Sequence, residues 1–62
     1  MDTGHYFDVK VITDLGEEIV LNVYALSPVD AEFIATQMTE DGLAGTLSNI
    51  VVSACAYMWA ED

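Results

Sequence analysis

The sequence predicts an α+β fold: one ββαβ domain in which three antiparallel strands, in sheet order 2-1-3, carry a single helix packed on one face. Three observations support that expectation. Apolar residues alternate over 6–13 and again over 19–24, on either side of a stretch holding Asp and Gly. A Ser-Pro-x-Asp sequence at 27–30 is a helix start, and a third run rich in β-branched and aromatic residues, 49–59, follows the helix.

In the first strand Phe7, Val9 and Val11 fall on one side and Asp8 and Lys10 on the other, the period of a strand with one buried face. Asp14-Leu15-Gly16-Glu17 supplies turn residues, and Ile19, Leu21 and Val23 then alternate against Val20, Asn22 and Tyr24, so the two runs read as a β-hairpin. The second strand ends at Ala25 or Leu26. Ser27 suits the N-cap, Pro28 the first helical position, and Asp30 a site from which its carboxylate reaches back to the N-cap amide. The helix runs from Pro28 to about Thr39, with Gly42 as a stop and Glu40 and Asp41 near its negative end. Spacing residues at roughly 100° puts Ala31, Ile34, Ala35 and Met38 on the core stripe, with Phe33 and Val29 outside it.

Leu43 to Ser48 reads as a loop. Asn49 to Trp59 is long enough for a helix, but Ile50-Val51-Val52 and Tyr57-Met58-Trp59 favour a strand, and a right-handed crossover sets it beside the first. No repeat or linker divides the chain, so 1–62 forms one domain, with 1–5 and 60–62 expected to fray.

Composition narrows the function. The 62 residues hold eleven Asp and Glu against one basic residue, Lys10, for a net charge of −10, yet 53% are apolar. So small a domain is marginally stable, and one cysteine, Cys55, allows no internal disulfide; a dense apolar core must hold it. Such acidity repels nucleic acid and anionic lipid and selects a basic protein surface. A single Lys cannot neutralise phosphates, so direct nucleic-acid binding is excluded. The amino terminus lacks the pattern of a signal peptide and no apolar run reaches the roughly 20 residues of a membrane span, which predicts a cytoplasmic protein.

No catalytic set is expected. His5 has no nucleophile at a fixed spacing, His5 with Cys55 is a poor dyad, and no calcium loop or zinc spacing is present, so no metal or cofactor is implied. The candidate partner-binding residues are instead acidic: Asp14, Glu17 and Glu18 around the hairpin turn, Asp30 and Glu32 in the first helical turns, Glu40 and Asp41 at the helix end. Phe33 stands among them as an aromatic anchor or is covered by loop 43–48.

A single layer leaves one sheet face uncovered. In the third strand Ile50, Val52, Ala54, Ala56 and Met58 alternate with Val51, Ser53, Cys55, Tyr57 and Trp59. With the alanines beneath the helix, the second set looks outward and joins Tyr6, Ile12, Val20 and Tyr24. Tyr24, Tyr57 and Trp59 thereby mark a sheet-face interface, for a partner or for a homodimer. Edge strands two and three are also open to strand addition, the third carrying no charge to prevent it.

The segment Tyr24-Ala25-Leu26-Ser27-Pro28-Val29-Asp30-Ala31-Glu32-Phe33-Ile34-Ala35 resembles the strand-to-helix junction of small acidic phage-encoded inhibitors of host RNA polymerase, of the short-tailed coliphage type, with the pattern Tyr-Ala-x-[Ser/Thr]-x-x-[Asp/Glu]-Ala-x-x-x-Ala. The resemblance covers about half the chain, and length, element order and acidity are similar. It implies a non-enzymatic protein that lodges in a basic region of the polymerase and blocks the passage or loading of DNA. Those inhibitors also use arginines near the third strand; this chain has none, so acidic and apolar contacts would have to replace them. Two other readings fit the same physics: a DNA mimic acting on a restriction or CRISPR nuclease, and an oligomeric assembly module using the open sheet face.

Overall fold

The structure, a computed structural model, describes residues 3–58. It contains β1 (His5–Thr13), β2 (Glu18–Ala25), α1 (Pro28–Glu40) and β3 (Val51–Met58). The sheet is antiparallel with order β2-β1-β3 and α1 packs on one face, the architecture the alternation predicts. His5, expected to fray with residues 1–5, instead opens β1 opposite Ala25, its ring edge-on to Phe7 at 6.4 Å. Trp59 and the 60–62 tail lie outside the described residues.

The hairpin closes through two backbone bonds: the Gly16 amide donates to the Thr13 carbonyl at 3.0 Å, and the Thr13 amide to the Glu17 carbonyl at 3.0 Å. That pair sets the phase of the ladder. Phe7 with Val23, Val9 with Leu21 and Val11 with Ile19 become the hydrogen-bonded pairs, so Glu18, Val20 and Asn22 turn their amides away from β1, toward the outer edge. The alternation then buries Phe7, Val9, Val11, Val23 and Ala25 with Ala31 and Ala35 of the helix; Ile19, Leu21, Met38, Val51, Ala54 and Ala56 pack around them.

Ser27 caps α1 as its sequence predicts, its Oγ accepting from the Asp30 amide at 3.2 Å. At the other end the Leu43 amide donates to the Met38 carbonyl at 2.9 Å and the Gly42 amide to the Thr39 carbonyl at 3.1 Å. This is a Schellman stop, and it requires Gly42 at φ 79°.

Two packing details depart from the sequence reading. The helix buries Ala31, Ala35 and Thr39, while Ile34, expected on the core stripe, is 37% exposed. The helix leans toward β3 rather than β2, and on that side the Glu32 carboxylate accepts the Ala56 amide at 3.0 Å. Thr39 tolerates burial because its hydroxyl donates to the Ala35 carbonyl at 2.9 Å.

The second departure is a bulge. Thr13 pairs with Val51 but Ile12 pairs with Ser53, so Val52 has no opposite residue. The extra residue shifts the alternation by one. Ala54 and Ala56 meet the core as expected, but Val51 joins them, and Ile50 and Val52, expected on that side, are both exposed.

Candidate functional site

The acidic residues at the hairpin turn are engaged within the fold. Glu17 accepts from the Leu47 amide at 2.7 Å, the Ser48 amide at 3.0 Å and the Thr13 hydroxyl at 2.9 Å, tying loop 41–50 to the turn. Those donors favour the charged carboxylate, the two loop amides foremost, and hold its pKa below the ordinary glutamate range. Asp14 accepts from the Ser48 hydroxyl, and its amide donates to the Ile50 carbonyl at 3.0 Å. Loop 43–48 therefore lies against the hairpin turn and leaves Phe33 67% exposed, which removes the covered reading of that ring.

Glu18 reaches across the sheet to Lys10, with Nζ and carboxylate 2.9 Å apart, and this bond and charge raise the Lys10 pKa. The single basic side chain of the protein is thus matched internally. Glu32 is also committed, to the β3 amide of Ala56, so the edge predicted to be open on β3 is in part closed by a carboxylate from the helix. Glu40 and Asp41 remain exposed at the helix end, where the Glu40 carbonyl accepts from Asn49 at 3.5 Å.

The open sheet face is divided. Tyr6 and Tyr24 meet edge-to-face at 5.0 Å near one end, and Tyr57 is exposed on the neighbouring strand. The Tyr24 ring also lies over Gly4, where an added Cβ would come within 2.6 Å of it and push the ring aside. Asp8 and Asn22, 3.4 Å apart, separate these rings from Val20 and Ile12, and the Lys10–Glu18 pair crosses diagonally between those two apolar residues. The face predicted to be a contiguous apolar patch is therefore interrupted by charge, because Asp8 and Lys10 share the outward phase of Tyr6 and Ile12.

The structure instead gathers exposed apolar surface on the flank of the helix nearest β2. Tyr24, Ala25, Leu26, Asp30, Phe33 and Ile34 line a groove of about 470 Å³. Asp30, Phe33 and Tyr24 are among the residues singled out from the sequence, and the fold brings them together; it places the turn acids and the helix-end acids elsewhere. Leu26 and Ile34 were missed. Leu26 is the residue before the N-cap, where an apolar side chain usually staples onto the fourth helical residue. That residue is Ala31, a buried methyl, and Leu26 is left 63% exposed. Ile34 opens to the groove because the helix leans toward β3 and away from β2.

Among the described residues no three His, Cys, Asp or Glu side chains are placed to share a metal ion, and no helix is long and apolar enough to cross a membrane. Fold and surface together define a small acidic α+β domain with an apolar groove at the junction of its second strand and its helix. No family model, curated protein or solved structure matches the chain.

Proposed function

We propose that this chain is a non-enzymatic acidic binding protein of the phage-inhibitor type, which occupies a basic, DNA-handling surface of the host RNA polymerase in the cytoplasm and blocks transcription. The observation that supports the reading is the pairing of Lys10 with Glu18 in a protein of net charge −10: the surface offers a partner almost no positive charge to repel. Phe33, 67% exposed beside Asp30, supplies an aromatic anchor within that acidic field, the type of residue that carries much of the energy of an interface. One-sided charge also speeds encounter with an oppositely charged partner and makes it salt-dependent.

The test is binding of the purified protein to bacterial RNA polymerase, read with a rising salt series and with a transcription assay alongside. Binding that weakens steeply with salt, is reduced in Phe33→Ala and accompanies loss of transcription is the expected result. Absence of polymerase binding, with DNA-competitive binding to a nuclease in its place, would replace this reading by the DNA-mimic one.

A further inference from the structure

The two edges of the sheet are built differently. On β3 the outward amide of Ala56 is occupied by the Glu32 carboxylate at 3.0 Å, and the helix leans over that strand. On β2 the outward amides are those of Glu18, Val20 and Asn22, and among the described residues no strand or helix lies beyond them. Exposed edges are normally blunted by charge, proline, a bulge or a covering element. Here the bulge, at Val52, and the covering carboxylate both serve β3. At β2, Glu18 is turned inward to Lys10, and Val20 stands 61% exposed.

The apolar groove opens beside the same strand, at its Tyr24–Leu26 end, with Asp30, Phe33 and Ile34 as its other wall. Backbone donors and acceptors along an edge, with a pocket beside it for alternate side chains, are the two components of recognition by strand addition. Charge selects the occupant. A second copy of this chain would bring another net charge of −10 to the edge, whereas a basic segment meets Asp30 in the groove and an acidic field around it.

We propose that the β2 edge accepts an extended, basic segment of a partner protein as a fourth strand. Its main chain bonds to Val20 and Asn22, an apolar side chain enters the groove against Phe33 and Ile34, and a Lys or Arg lies near Asp30. This inference rests on the reading of the chain as an acidic protein-binding domain and specifies how that binding occurs. The lean of the helix gives it direction, because it covers β3 and leaves the groove open on the β2 side.

The experiment uses the whole chain and a synthetic peptide alternating lysine and valine, with a central leucine. Amide hydrogen exchange and NMR shifts locate the contact. The Val20 and Asn22 amides should become protected on peptide addition. A peptide N-methylated at alternate residues, which cannot pair, should bind about tenfold more weakly, as expected for the loss of one or two backbone hydrogen bonds. The Val20→Pro variant should lose affinity comparably, since that amide makes no bond to β1 and proline is tolerated on an outward edge. The N-methylated peptide keeps the result decisive if this variant folds poorly.

Protection confined to the hairpin turn or helix end, equal binding of the two peptides, or no binding of either overturns the edge inference. Polymerase binding by the parent chain that persists in Val20→Pro would then leave the proposed function standing, and absence of binding by the parent chain to peptide and polymerase alike would remove both. Protection of Val20 and Asn22 in the protein alone, rising with concentration and matched by a dimer in sedimentation, would identify a second copy as the occupant and overturn the basic-segment inference.

Discussion

Glu17 illustrates how a charge that looks like surface can act as a structural tie. Its three donors come from two segments, Thr13 in β1 and Leu47 and Ser48 in the loop, and the latter are separated from it by 30 and 31 residues. Because folding lowers its pKa, the ionised carboxylate contributes stability that is fully present above the ordinary value of 4.5 and is lost as pH falls through the lower, folded value. Glu17→Gln should therefore reduce stability at neutral pH and flatten the acid limb of the stability curve, the two proteins converging once Glu17 is protonated in both states. Urea midpoints measured from neutral pH downward check this; a constant offset at every pH would show that the loop tie does not depend on the charge.

At the scale of elements, one side chain ties α1 to the edge of the sheet. Its apolar stripe is weakly specified, with Ala31 and Ala35 presenting only methyl groups and Thr39 completing the buried row. The Glu32 contact with Ala56 joins the helix to β3 and at the same time occupies a sheet edge. Glu32→Ala should leave the ββαβ fold in place but expose the Ala56 amide, so the variant should self-associate or aggregate more readily than the parent. Light scattering over a concentration series provides the measurement, and a Glu32→Ala protein as monomeric as the parent would count against edge protection.

At the scale of the whole molecule, charge and hydrophobicity pull in opposite directions. A net charge of −10 on a radius of gyration of 11.5 Å imposes self-repulsion, while among the described residues seven apolar side chains are buried in the core. Screening should therefore stabilise the fold: the melting temperature is expected to rise between about 0.01 M and 0.2 M salt, over which the screening length falls from roughly 30 Å to below 10 Å. The same salt should weaken partner binding. Thermal denaturation across the series, run beside the binding assay, separates the two effects; a melting temperature that falls with salt would mean that attractive pairs such as Lys10 with Glu18 outweigh the repulsion.

Element types and their order were legible in the amino-acid sequence because they depend on local patterns: the alternation around Asp14–Glu17, the Ser27-Pro28 cap, the Gly42 stop. The acidity and the place of Phe33 outside the helical stripe were legible for the same reason, but the choice between an exposed ring and one covered by loop 43–48 was not. The assignment of each acid was not, since Glu17, Asp14 and Glu32 find partners in segments that only folding brings near. Nor was the bulge at Val52, which depends on how β3 meets β1 rather than on any residue within β3. Local periodicity thus determined a ββαβ domain of strongly negative charge. Tertiary contact decided which charges remain available, which edge stays open, and that Leu26, Phe33 and Ile34 share one groove, because each depends on packing and hydrogen bonds between segments distant in the sequence.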